Sequence, residues 1–266
     1  RPDDQPITMK PAETKRYSFT LSVPGDARQG EYSLRAVLTA GGTSVDYLNT
    51  STMTLNVVKP LDKIEGKRFR TAPDIDGSLD ENAWHKEAAI VDNFVTNQGY
   101  IPKHKTQVHI GYDDRNLYIG VNAEKTGKLV LERTERDDGT LWQDECIEIF
   151  VDTNLDRKSY YHLIVNASGV QTDYRYTDVA RNEKERDGFR KWNGEWMVAT
   201  AIKETHWVAE LAIPWKTLGL AAGKHALGIN VGRENRDEAT TDFSTIARGG
   251  FHSPAFFIEM QVDLKE

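Results

Sequence analysis

Apolar and polar residues alternate with a period of two through most of this chain, and that alternation predicts strands rather than helices. In "TQVHIGYDDRNLYIGVNA" Val108, Ile110 and Tyr112 alternate before the turn "DDRN", and Leu117, Ile119 and Val121 alternate after it, which reads as a hairpin. "YYHLIVNASG" places Tyr161, Leu163 and Val165 on one face, and "EWMVATAIKETHWVAELAIPW" reads as a second hairpin turning at 203–206. "HALGINVGREN" and "FFIEMQVDL" add two more strands. The stretch "LWQDECIEIFVDTNLD" alternates as well: Ile147, Ile149 and Val151 form an apolar class, while Glu148 falls in the opposite class with Cys146 and Phe150. Helical signal is confined to "LDENAWHKEA" and the turn "IPWKTLG", where Pro214 suits a first position. The sum is an all-β chain whose main part is an antiparallel β-sandwich of about ten strands.

Before residue 60 the pattern is shorter. Tyr17, Phe19, Leu21 and Val23 alternate, the turn "PGDARQGEY" interrupts, and "YSLRAVLTA" and "STMTLNVV" resume around "GGTS". About four strands are too few for a complete immunoglobulin-like sandwich, which needs about seven. The stretch resembles the later strands of bacterial immunoglobulin-like modules, so residues 1–60 are expected to be part of such a domain. Residues 61–70, within the charged, Pro- and Gly-punctuated "KPLDKIEGKRFR", read as a linker, and residues 71–266 as the main domain.

The outward strand faces change the picture. His109, Gly111, Tyr118, Gly120 and Asn122 share one such face; His162, Ile164 and Asn166 lie on another, as do Asn230, Gly232 and Glu234. Glycines remove bulk while Asn, His and Glu offer fixed polar groups, which suits a shallow polar ligand surface; the alternative is a sheet face covered by loops.

Composition narrows the partners. The 266 residues carry a formal net charge of −7, which disfavours nucleic acid and anionic membrane as partners held by bulk electrostatics. No apolar run is long enough for a membrane span, no signal peptide is evident, and the opening Arg1 leads us to expect a longer parent chain. Cys146 is the only cysteine, so an intrachain disulfide and a cysteine-built zinc site are both excluded. Within a strand it reads as a small buried apolar residue.

In order along the chain, "DIDGSLDENAWHKEA", "TQVHIGYDDRNLYIGVNA", "LWQDECIEIFVDTNLD", "YYHLIVNASG", "WVAELAIPWKTLG", "LGINVGREN" and "FHSPAFF" resemble the family 9 carbohydrate-binding modules. The resemblance covers residues 71–264 and implies a DOMON-like β-sandwich without catalytic activity. It implies binding of a polysaccharide or oligosaccharide, attachment to a secreted polysaccharide-active protein, and an extracellular, periplasmic or cell-surface location. It also implies a sugar ring held between two aromatic residues, here matched by Trp142 and Phe251, with Asp144, Glu148 and Asn166 bonding hydroxyls. His252 neighbours Phe251, and because Ile164 stands where the family has an Arg, a guanidinium is expected from Arg133, Arg175 or Arg233. Aromatic faces cover the C–H face of a pyranose, and charged groups bond its hydroxyls with charge-assisted strength.

Structural calcium is a further expectation. Asp152, Asn154 and Asp156 have the one-three-five oxygen spacing of a hard-cation loop, although Arg157 and Leu163 depart from the EF-hand pattern. The competing reading is an Asx-rich turn. Asp74, Asp76 and Asp80 form a second acidic cluster, divided between calcium and helix capping. Three other functions remain in contention: a hydrolase using Asp144 and Glu148, a haem domain using Met197 or Met260, and a ligand-free adhesion or spacer module.

Overall fold

The computed structural model describes residues 22–264 with short gaps, at 25, 28–29, 36–38, 41–42, 45–51, 59–60, 179–182, 221–222, 224 and 239. Residues 1–21 lie outside the described residues, so the immunoglobulin-like expectation for 1–60 falls largely there. The described part of that region comprises β1 (Gly30–Arg35) paired antiparallel with β4 (Thr52–Val57), and the two-residue strands β2 (Thr39–Ala40) and β3 (Thr43–Ser44).

The main part is a sandwich of two sheets. Strand β5 (Lys63–Glu65) belongs to an eight-stranded sheet with β7 (Val95–Thr96), β10 (Cys146–Asp152), β11 (Tyr160–Asn166), β12 (Gln171–Tyr176), β15 (Ala226–Asp237), β16 (Thr240–Thr245) and β17 (Ile258–Gln261). The five-stranded sheet runs β13 (Met197–Ile202), β14 (His206–Pro214), β9 (Asn116–Glu124), β8 (Thr106–Tyr112), β6 (Ala89–Val91). One short helix, α1 (Glu183–Phe189), follows β12. Among the described residues no helix is long and apolar enough to cross a membrane.

The inward classes read from the alternation form the core. Ile147, Ile149, Val151, Leu163 and Val165 face Val108, Ile110, Leu117, Ile119 and Val121 across the sandwich, all essentially inaccessible to water. Trp196, Trp207 and Trp215 belong to the same core, with Trp192 packed against it. The stretch 61–70 differs from its linker reading. Ile64 and Phe69 are buried, β5 pairs in parallel with β17, and Phe69 N–H donates to Tyr112 O at 2.8 Å. Its charged residues flank these two apolar anchors and mask them in a composition-based reading.

The two outer faces are built differently. On the five-stranded sheet, Phe69, Trp84 and Tyr118 pack together, joined by Ile75 and Leu79. The glycines at 111 and 120 make room for this cover: a Cβ at Gly111 would collide with the Phe69 ring, and one at Gly120 would meet Leu79 and Trp84. The hairpin face with His109, Gly111, Tyr118 and Gly120 is therefore covered by the 69–88 segment, which corrects its reading as a ligand surface. Glu210 of β14 anchors this cover, accepting N–H donors from Asp76, Gly77 and Ser78 at 2.7–3.1 Å and Trp84 Nε1 at 2.7 Å. The predicted helical segment contributes only one wide turn, Ala83–Glu87, carrying Trp84 inward.

Candidate functional site

The outer face of the eight-stranded sheet carries a different population. Because Ile147, Ile149 and Val151 face the core, β10 turns Cys146, Glu148 and Phe150 outward. Register then brings His162 beside Phe150 and Gly232 beside Glu148. Phe150, Tyr160, Ile164, Tyr174, Tyr176 and Phe257 form a second apolar cluster on this face. Phe150 stacks on His162 at 4.2 Å and 12°, and Tyr160 on Tyr176 at 4.6 Å and 14°. His162 Nε2 lies 2.6 Å from Glu148 Oε2, and His162 Nδ1 is buried without a hydrogen-bond partner.

The electrostatics of this face are set by burial. Burial pushes the Glu148 carboxyl up to about 7, partly offset by His252 and Arg236. Glu234 rises to about 8, through burial first and the neighbouring Glu148 charge second. Burial drives His162 down to about 3, so the ring is neutral at physiological pH. The Cys146 thiol, fully enclosed beside these carboxylates, is raised by burial, as befits an inert structural residue.

Trp142 sits on the short 3₁₀ turn Leu141–Gln143, immediately before β10, and is 43% exposed. The Arg236 guanidinium lies 5.8 Å from its ring centroid and 4.8 Å from that of Phe243, so this cation is flanked by two rings. Glu234 Oε2 accepts from Arg236 Nη2 at 3.0 Å, while Arg236 Nε is buried and unpartnered. Phe251 covers Gly232, where a Cβ would overlap its ring, and contacts Phe150 edge-on at 6.3 Å. His252 is exposed beside it, with its Nδ1 bonded to the Tyr160 hydroxyl at 2.9 Å. Thus Trp142, Glu148, Phe251 and His252 all adjoin one face.

Asp144, Asn166 and Arg133 come together elsewhere, with each other. Asp144 is fully buried and accepts from Glu132 N, Arg133 N, Arg133 Nη1 and Asn166 Nδ2, all at 2.9–3.0 Å. Asn166 Oδ1 accepts from Ser168 N and Val170 N, closing the turn after β11. Arg133 also bonds Gln143, Thr140 and Glu132. These side chains hold the 132–144 loop, and with it Trp142, against the sheet. Arg233 is likewise internal: buried, it is paired with Glu145 at 2.8 Å. Arg175 lies over Tyr161, 5.5 Å from its centroid. The guanidinium at Trp142 is Arg236, which sequence reasoning missed along with Phe243, whereas Glu234 and His162 lie on outward faces that the alternation had marked. The signal for Arg236 was present, since Gly232, Glu234 and Arg236 share one alternation class of β15.

The calcium expectation meets an occupied donor set. Asp152 accepts from Asn154 N, Leu155 N and Arg157 N, and Asp156 from Lys158 N, Ser159 N and Ser159 Oγ. Leu155 and Arg157 adopt φ of 58° and 62° to aim the backbone this way. Donors converging on both carboxylates form Asx turns, the competing reading of this spacing. At the other acidic cluster, Asp76 caps Ser78 N while Glu81 caps Asp74 N.

Comparison with known proteins decides the family. The profile described as "Carbohydrate family 9 binding domain-like" matches residues 75–253. The chain belongs to this family. Curated relatives include Exoglucanase XynX of Acetivibrio thermocellus, 28% identical over 170 residues, which are 62% of this chain and 14% of that protein. Another is Endo-1,4-beta-xylanase A of Thermotoga neapolitana, 26% identical over 219 residues, 77% of this chain and 19% of that protein. The chain therefore spans less than a fifth of each of these two relatives. The same fold occurs in a family 9 module from Caldicellulosiruptor kristjanssonii in complex with cellotriose, with a TM-score of 0.54 at 17% identity, covering 77% of this chain and 95% of that one.

Proposed function

We propose that this family 9 chain is a non-catalytic module that grips a sugar on the outer face of its eight-stranded sheet. The observation that carries the reading is the exposed Trp142 ring beside the Glu234–Arg236 pair on a neutral, partly apolar face. A pyranose would lay its C–H face on Trp142 and direct hydroxyls to Glu234 and Arg236, with Phe251 and His252 forming the far wall and Glu148 at the base. Trp142 neighbours Arg236 and Phe251 covers Gly232, positions about 13 Å apart along an extended strand, so the two rings bracket Glu234. Asp144, Asn166 and Arg133 act in this reading by positioning the Trp142 loop. The family 9 module from Caldicellulosiruptor kristjanssonii is seen with cellotriose and with glucose, which supports a gluco-configured ligand. The xylan- and glucan-named relatives support attachment to a larger extracellular polysaccharide-active protein, where tethering raises the local substrate concentration.

The hydrolase alternative is disfavoured by Asp144, whose carboxylate is sealed among four donors. The haem alternative is disfavoured by placement: Met197 is exposed on β13, and Met260 is buried on β17 of the other sheet. Calorimetry against cello- and xylo-oligosaccharides tests the binding reading. Trp142→Ala is expected to weaken binding by about 1–3 kcal/mol through lost stacking area. Equal affinity of the variant and the parent chain would remove Trp142 from the site, and absence of binding to every glycan screened would leave the spacer reading.

A further inference from the structure

Beneath the proposed sugar surface lies a group of side chains with a chemistry of its own. Glu148, His162 and His252 each offer one ligand atom, and these atoms lie within 4.8 Å of one another. They come from two neighbouring strands and the loop before β17, so the sheet register, rather than local sequence, assembles them. We propose that these three side chains hold a divalent transition-metal ion.

The geometry supports this in three ways. His162 Nε2 and Glu148 Oε2 meet at 2.6 Å, the separation of a shared proton, so both already point at one spot that a dication could take in that proton's place. Both residues are held firmly: His162 lies flat on Phe150, and Glu148 is buried on the central strand β10. The two imidazoles stand at 88° with centroids 5.0 Å apart, so they approach a common point from different directions. A tetrahedral site with bonds of about 2.0–2.2 Å needs ligand atoms about 3.4 Å apart, so the 2.6 Å pair must widen while the longer separations contract. Exposed His252 is the member able to supply that movement.

The surroundings of the two rings bear on ligation. The Tyr160 hydroxyl bonds His252 Nδ1 at 2.9 Å, a second-layer contact that ligation through Nε2 would preserve. The cost lies at His162, where a lone pair on Nε2 places the ring proton on Nδ1, buried without a hydrogen-bond partner. Two imidazoles and one carboxylate select zinc, nickel, copper or cobalt over calcium or magnesium, which favour all-oxygen sets. With three protein ligands, the ion keeps an open position on the His252 side for water or an oxygen-rich ligand.

The proposed ion shares Glu148 and His252 with the proposed sugar surface, but its binding does not depend on that reading and is tested without sugar. The full chain, stripped with a chelator, is titrated with Zn²⁺ by calorimetry and with Co²⁺ by visible absorption. One equivalent of Zn²⁺ at micromolar affinity is expected, with Co²⁺ producing d–d bands. His252→Ala, at an exposed position, and Glu148→Gln, a neutral isostere, should each weaken binding by about tenfold or more while melting cooperatively. Failure of the parent chain to take up Zn²⁺ overturns the proposal. So does unchanged affinity in both variants, which would place the ion on exposed histidines such as His85 or His225.

Discussion

At the scale of single residues, side-chain type proved a weaker guide than hydrogen-bond accounting. Asp144 and Glu148 lie four apart in one short stretch, yet one is a fully engaged internal acceptor and the other a buried carboxyl on the candidate face. Asp144→Ala removes the acceptor of three separate residues, leaving buried donors from Glu132, Arg133 and Asn166 unanswered. Loss of such a buried, paired carboxylate is expected to destabilise the fold by about 3–5 kcal/mol, measurable by urea denaturation. A change below about 1 kcal/mol would mean that the loop does not depend on it. Trp142 and Phe251 were paired in advance through the family resemblance, since they lie over a hundred residues apart in sequence. Arg236 was not legible, and although Glu234 and His162 stood out on outward faces, only cross-strand register shows that they share one.

At the scale of elements, alternation was read well where one face of a strand meets the core. The inward classes of β8 through β11 and of β15 follow the period of two. Alternation alone could not distinguish the two outer faces, one covered by the 69–88 segment and the other bearing the candidate site. Their composition of Gly, His and Tyr is similar, and what covers them comes from distant sequence. Gly111→Ala tests the difference directly, since its Cβ overlaps the Phe69 ring. Overpacking there is expected to lower stability by about 1–3 kcal/mol, and an unaltered melting midpoint would show that the cover is loosely seated. The Asp152–Asp156 turn shows the same limit, because oxygen spacing fits both a cation loop and a self-bonded turn. If the turn is only self-bonded, millimolar calcium leaves the melting midpoint unchanged, whereas a clear rise would show the cation reading to hold.

At the scale of the whole molecule, the two buried carboxyls make stability depend on pH. Glu148 and Glu234 shift from 4.5 to about 7 and about 8, so the folded chain binds protons more tightly than the unfolded one. Their contribution is fully present below the unfolded value and is lost as pH rises through the folded values. Burial lowers His162 and His109, so their unfolded rings lose protons over the same range and oppose this effect by less than about 1 kcal/mol together. The chelator-treated chain is therefore expected to melt at lower temperature at pH 8.5 than at about pH 6.5, with the slope flattened in a Glu148→Gln, Glu234→Gln variant. A midpoint that rises over this interval would contradict the assignment.

The parallel pairing of β5 with β17 also bears on how the module would carry load. The chain enters the sandwich along Lys63–Glu65 and leaves along Glu259–Gln261, two strands running side by side in the same direction. Tension between neighbours attached before β5 and after β17 would slide these strands along their length. It would strain their shared hydrogen bonds together instead of peeling them one at a time. Entry and exit therefore form a shear clamp, with the aromatic face and its titratable groups set beyond that clamp, on β10, β11 and the far half of β15.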